Sequence, residues 1–133
     1  MEERNLTLLT DFYQLTMMNG YLNYEKKDEI AVFDVFFRQN DMITYSLACG
    51  LEQVVDYILN LHFGEEEISY LRSLNTFPEE FLGCLRNFKF TGDVYAVPEG
   101  TVVFPGEPIL TVKAPIMQAQ LIETAILNMM NFQ

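Results

Sequence analysis

Tryptophan is absent from this chain, histidine occurs once and cysteine twice. The two thiols, Cys49 and Cys84, sit in no Cys-x-x-Cys or Cys/His spacing, so neither a disulfide framework nor a zinc site is indicated. They read as buried, reduced thiols on two separate helices. The lone His62 has no Ser/His/Asp set around it and reads as a helix-end residue. Positive charge is also scarce: 8 Lys and Arg against 19 Asp and Glu give a formal net charge of -11. That balance repels nucleic acid and anionic membrane surfaces, and it leaves this chain unable to hold a polyphosphate ligand by itself. No run approaches the roughly 18 apolar residues of a membrane span, and the opening Met-Glu-Glu-Arg-Asn has no signal-peptide core, so a cytoplasmic protein is expected. A Gly-rich phosphate loop, a Walker pattern and paired acid/base carboxylates are missing as well. No catalytic residue and no metal ligand is assigned within the chain, which by motif is not a complete enzyme.

What is present suffices for one core. The 133 residues are half hydrophobic, with no internal repeat, low-complexity tract or linker, so residues 1–133 are expected to form a single α+β domain. The stretch from Leu8 to Tyr21 organises it. Leu8, Phe12, Leu15 and Met18 recur at helical spacing, and Asp11 with Gln14 gives a variant capping box. A helix is therefore expected from Asp11 to near Gly20, with Tyr13 in its first turn beside free backbone N–H groups. Ile30 to Arg38 is a β-branched and aromatic run that reads as a strand, with Ala31, Phe33, Val35 and Phe37 on one face. Arg38 ends the opposite, half-polar face formed by Val32, Asp34 and Phe36. Gln39 to Thr44 reads as a loop.

Three shorter helices follow in the pattern. Gly50 precedes Leu51, Val54, Val55 and Ile58; Glu65, Glu66 and Glu67 crowd the first turn of a helix carrying Ile68, Leu71 and Leu74; and Thr76 with Glu79 reads as a capping box ahead of Phe81, Leu82 and Leu85. From Phe88 the period alternates. Turns at Pro98-Glu99-Gly100 and Pro105-Gly106 separate strands over Asp93 to Val97, Thr101 to Phe104 and Ile109 to Val112. After Pro115 an apolar helix runs over 116–133 with no glycine or proline to stop it, and it is expected to be buried and to lead into a second domain.

Four ordered blocks carry a resemblance. Thr10-Asp11-Phe12-Tyr13-Gln14-Leu15-Thr16-Met17, Phe36-Phe37-Arg38, Ala48-Cys49-Gly50-Leu51-Glu52 and Phe90-Thr91-Gly92-Asp93-Val94-Tyr95-Ala96-Val97-Pro98-Glu99-Gly100 resemble nicotinate phosphoribosyltransferase, in its amino-terminal part only, from about Leu8 to Gln133. The loop at Asn40-Asp41-Met42-Ile43-Thr44 departs from the pattern, which has a proline, an aromatic and paired glycines there. The resemblance implies an amino-terminal α+β domain, helices packed on a small, mainly antiparallel sheet, followed by an α/β barrel that is not in this sequence. It implies a part in NAD salvage: nicotinate and 5-phosphoribosyl 1-pyrophosphate give nicotinate mononucleotide, with ATP hydrolysis and Mg2+, a reaction with both glycosyltransferase and ligase character. It further implies a homodimer whose active sites are shared between subunits, each amino-terminal domain closing over the partner's barrel.

Three substrate-binding residues follow from the matched blocks. By that resemblance Tyr13 stacks on the pyridine ring, Arg38 contacts a phosphate of the phosphoribosyl donor, and Asp11 holds the Tyr13 turn and approaches the ribose. The histidine phosphorylated from ATP and the main phosphate loops are implied to lie beyond Gln133, so residues 1–133 alone are expected to be inactive. Two other classes fit parts of the pattern. The strands between Asp93 and Val112 resemble a biotinyl- or lipoyl-like carrier module, although Lys113 stands at a strand end and not at a hairpin tip. A regulatory interaction domain is the other.

Overall fold

The computed structural model describes residues 4–132. In chain order the elements are α1 (Phe12–Asn23), β1 (Ile30–Val35), β2 (Ser46–Leu47), α2 (Leu51–Leu59), α3 (Glu65–Ser73), α4 (Glu79–Arg86), β3 (Asp93–Ala96), β4 (Val102–Val103), β5 (Leu110–Pro115) and α5 (Ile116–Phe132). The main sheet has the order β1-β5-β3 and is antiparallel throughout, while β2 and β4 form a separate two-residue antiparallel pair. The architecture is the expected α+β domain with a small antiparallel sheet. No helix among the described residues is long and apolar enough to cross a membrane.

The central strand explains the layering. Leu110, Val112 and Ala114 of β5 are buried, and the chain passes from Pro115 straight into α5, which packs against β1, β5, α1 and α2. Proline fits this junction because the first helical residues have no intrahelical partner for their N–H groups. Those of Ile116 and Met117 are instead taken by the carbonyls of Glu29 (2.7 Å) and Lys27 (3.4 Å). Met18, Val54, Ile68, Leu71, Phe81, Leu82, Leu85, Leu121, Ile122 and Ile126 form one continuous core beneath the sheet. Its aromatic edge is a chain of tilted rings, Phe12 to Phe77 at 5.7 Å and Phe77 to Phe81 at 5.1 Å.

Several boundaries differ from the sequence reading. The first helix runs past Gly20 to Asn23 and stops in a Schellman arrangement: Glu25 adopts φ +56°, its N–H reaches the Leu22 carbonyl and the Lys26 N–H reaches that of Tyr21. Glu25 supplies the left-handed residue expected of a glycine. Asp11 is the N-cap by backbone conformation, yet its side chain makes no cap bond and the Asp11–Gln14 capping box does not form. Both side chains are drawn to α5 instead. The apolar stripe is likewise shifted, for Leu15 and Met18 are buried with Gln14 while Phe12 is half exposed. Thr76 does not cap α4; Pro78 is its N-cap and the Thr76 hydroxyl donates to the Leu74 carbonyl. The first strand ends at Val35, because β5, its partner, begins opposite it at Leu110. Cys49 lies in the loop before α2, only Cys84 is helical, and both thiols are half-buried and free. Burial pushes the Cys84 thiol above its ordinary value, against the Lys27 charge, which keeps it protonated. The final helix spans Ile116–Phe132, and Gln133 lies outside the described residues.

Gly92 shows how tightly β3 is led onto β5. A Cβ at this position would stand 2.3 Å from the Ala114 Cβ and 2.7 Å from the Lys113 carbonyl oxygen, both on the central strand. Backbone cannot yield as a flexible side chain does. Gly92→Ala should therefore destabilise the domain by at least about 2 kcal/mol, the cost of overpacking in a rigid setting, measured as a lower denaturation midpoint at unchanged m-value.

Candidate functional site

The start of α1 is fastened to α5 by a polar network buried between two apolar helices. Gln14 is 0 % and Gln120 5 % exposed, and burying an amide without partners would be costly. Each finds them in the other helix. Gln120 Nε2 donates to Gln14 Oε1 and, at 3.4 Å, to Glu123 Oε2, while the Tyr21 hydroxyl donates to Gln120 Oε1 at 3.0 Å. Gln14 Nε2 donates to Glu123 Oε2 and, at 3.0 Å, to the Tyr13 hydroxyl oxygen, with Thr124 Oγ1 at 3.3 Å beside them. The Thr124 hydroxyl donates to Asp11 Oδ2 at 3.2 Å, and the Thr10 hydroxyl to the Leu121 carbonyl at 3.3 Å.

The network leaves Tyr13 standing outward. Its ring is 50 % exposed, at the first turn of α1 as the sequence expected. Partial loss of water raises its phenol above the ordinary value, the charges of Glu123 and Asp11 raise it further, and the Gln14 hydrogen bond opposes them. Tyr13 is thus a neutral phenol at physiological pH. Asp11 turns its carboxylate toward Thr124 and braces this turn.

Arg38 lies three residues beyond β1, exposed, with no hydrogen bond or ion pair to any described residue. No hydrogen bond or ion pair joins it to the Asp11–Tyr13 turn. Asp11 and Tyr13 are therefore brought together through Gln14 and Thr124, and no such bond links Arg38 to them. Its alternation is as expected, with Val32, Asp34, Phe36 and Arg38 all on the exposed face. A groove of about 350 Å3 runs between that strand and α5, lined among others by Asp34, Phe36, Ile122, Glu123 and Leu127. Glu123 thus borders both the groove and the Tyr13 network.

A larger cleft, about 640 Å3, lies elsewhere, between residues 4–9, α2 and the end of α5. His62 borders it, beyond the end of α2, with its Nδ1 2.8 Å from the Asn60 carbonyl oxygen. That is the helix-end placement the sequence predicted. Among the described residues no cluster of three or more His, Cys, Asp or Glu could hold a metal ion.

Sequence reasoning missed Gln14, Gln120, Glu123 and Thr124. The signal was there: Gln120, Glu123 and Thr124 share one face of a mainly apolar helix, and a polar face on a buried helix demands a polar partner. Glu99 was also missed. Its carboxylate accepts the Leu51 N–H at 2.7 Å and lies 3.4 Å from that of Glu52, capping α2 from 48 residues away where Gly50 has no side chain to do so.

Known proteins are similar to this chain in sequence and in fold. The family pattern for the nicotinate phosphoribosyltransferase (NAPRTase) N-terminal domain matches residues 8–131. A nicotinate phosphoribosyltransferase of Mycobacterium tuberculosis is 45% identical over 127 residues, covering 95% of this chain and 27% of that protein. One from Bacillus subtilis is 39% identical over 133 residues, covering 99% and 27%. The crystal structure of human nicotinic acid phosphoribosyltransferase superposes with a TM-score of 0.85 at 32% identity, over 94% of this chain and 26% of that one. The chain spans about a quarter of the length of the relatives it matches. A match over nearly all of its residues, in sequence and in fold, makes this chain a member of the nicotinate phosphoribosyltransferase amino-terminal domain family.

Proposed function

We propose that this domain supplies one wall of the active site in an enzyme of NAD salvage that joins nicotinate to 5-phosphoribosyl 1-pyrophosphate, working in the cytoplasm as a homodimer with sites shared between subunits. The observation that carries the reading is Tyr13: a half-exposed aromatic ring whose backbone and hydroxyl are fixed by a buried network rather than left to solvent. A pre-positioned ring offers a pyridine a stacking surface at little entropic cost. The exposed Phe12 and Met17 beside it fit a surface that a partner subunit covers. Arg38 supports the reading as an unengaged guanidinium in a chain of net charge -11, free to meet a phosphate of the second substrate. Asp11 serves as the brace of the Tyr13 turn.

ATP and Mg2+ belong, on this reading, to the complete enzyme; among the described residues no group of three or more His, Cys, Asp or Glu could hold a metal ion, and Asp11, Asp34 and Glu123 each accept a hydrogen bond from a neighbouring side chain. The domain's own contribution is binding and orientation. A carrier-module role is disfavoured by Lys113, which lies within the central strand opposite Val32 and Asp93, and by Glu99, whose turn is spent on capping α2.

Four outcomes test the proposal. Purified residues 1–133 should form no nicotinate mononucleotide. In the complete enzyme, Tyr13→Ala should raise the nicotinate KM at least about tenfold while the melting temperature changes little; a buried aromatic would instead cost about 3 to 5 kcal/mol of stability. Mixing a Tyr13→Ala subunit with one inactivated in its catalytic region should restore activity in the heterodimer, because one composite site is then intact. Arg38→Ala should weaken phosphoribosyl pyrophosphate binding by about 1.5 to 3 kcal/mol with a smaller effect on nicotinate, read by titration calorimetry of each ligand; equal losses for both would make Arg38 structural.

A further inference from the structure

We propose that Gln14 is a positioning residue that fixes the Tyr13 hydroxyl as an outward hydrogen-bond donor to an anionic oxygen of the bound substrate. The inference rests on the reading of Tyr13 as a substrate-facing ring and adds a second function, chemical rather than steric, to the same side chain.

The orientation of the Gln14 amide follows from its neighbours. Its two ends face groups of opposite demand: Gln120 Nε2, a donor, on one side, and Glu123 Oε2, an acceptor, on the other. Gln120 is itself oriented by the Tyr21 hydroxyl on its Oε1 and by Glu123 on its Nε2. Turning the Gln14 amide over would set two acceptors against each other and two donors against each other. Nε2 must then face Glu123 and Tyr13. The nitrogen has two protons: one goes to the carboxylate and the other to the Tyr13 hydroxyl oxygen 3.0 Å away, nearer than Thr124 Oγ1 at 3.3 Å.

A phenol that accepts such a bond still has its own proton to give. An amide nitrogen cannot receive it, so the O–H is directed away from α5, into the solvent-exposed side of a ring that is 50 % accessible. Partial loss of water, and after it the charges of Glu123 and Asp11, keep that proton in place by opposing ionisation. The result is a preset donor beside two carboxylates that are already engaged. It selects for an acceptor and against a competing donor, as a carboxylate or phosphate oxygen would satisfy and a cationic or amide N–H would not.

The two sources of an anionic oxygen, the carboxylate of the pyridine and a phosphate of the phosphoribosyl donor, separate kinetically. Tyr13→Phe in the complete enzyme keeps the ring and removes the donor; it should raise the KM of one of these two substrates roughly three- to tenfold, the range of one hydrogen bond, with little change in kcat. Whichever KM moves names the source. Gln14→Met, which keeps the volume and removes the amide, should give the same rise, and the double variant should be no worse than Tyr13→Phe alone. Independently of turnover, ring NMR of residues 1–133 should show the Tyr13 phenol titrating higher in Gln14→Met than in the wild type, because the bond that stabilises the phenolate is lost. That reading also serves if Gln14→Met enzyme is too unstable for kinetics. The proposal is overturned if Tyr13→Phe leaves both KM values unchanged, if the two single effects multiply in the double variant, or if the phenol titration does not move. Loss of activity in Tyr13→Ala together with an unaltered Tyr13→Phe would sink this inference and leave the stacking role standing, whereas an active Tyr13→Ala would remove both.

Discussion

Two buried glutamines, one on each of the helices that sandwich the domain's polar seam, fix how α1 lies on α5. An apolar interface between these helices would tolerate sliding by a residue or a small rotation, since dispersion is nearly indifferent to register. Paired amides are not, because an amide moved out of reach of its partner loses roughly 1 to 3 kcal/mol in uncompensated desolvation. The seam converts a smooth packing surface into a discrete one. Everything displayed at the first turn of α1, Asp11 and Tyr13 above all, inherits its place from that choice.

The second constraint is topological. A central strand that runs into the long helix without a loop fixes the helix axis relative to the sheet, so α5 serves as a common floor for β1, β5, α1 and α2. Long-range caps tie the remaining pieces to that floor. Glu99 brings the turn after β3 to the amino terminus of α2, and Gln118 on α5 accepts the Thr91 N–H at 2.7 Å, just where Gly92 allows β3 to approach Ala114. The Glu99 bond spans 48 residues of sequence and serves the start of α2, where Gly50 has no capping side chain of its own.

What was legible in the sequence was periodicity. The alternation of Ala31, Phe33 and Val35 gave the inward face of β1 correctly, Ile68 and Leu71 gave that of α3 although Leu74 beyond them is exposed, and Phe81, Leu82 and Leu85 gave that of α4. The acidic first turn of α3 and the glycine turns at Gly100 and Gly106, both with positive φ, were equally plain. The errors arose where a polar residue had two possible uses. Asp11 and Gln14 have the spacing of a local capping box, but the buried partner across the interface offers each a better bond than exposed backbone does, and tertiary demand prevailed. Stopping the first helix at Gly20 failed for a related reason: glycine permits a left-handed turn without requiring one, and Glu25 bears the strain in its place.

The candidate site was half legible. Tyr13 and Arg38 were singled out by the blocks they sit in, and the structure leaves both exposed. Tyr13 is held by its neighbour Gln14, but the residues that orient Gln14 come from more than 100 residues away and could be found only by asking what a buried helix does with Gln120 and Glu123. Their presence also reconciles the domain's charge with its proposed task. A surplus of 11 negative charges is a poor setting for anionic substrates if those charges are free. Near Tyr13 they are not: Glu123 accepts hydrogen bonds from two glutamines and Asp11 from a threonine, so each carboxylate is partly compensated. What faces outward is a neutral ring. In the proposed function the domain contributes shape and one preset donor, and the neutralisation of phosphates falls to Arg38 and to what closes against it, a division of labour that an acidic chain with 8 basic residues can sustain.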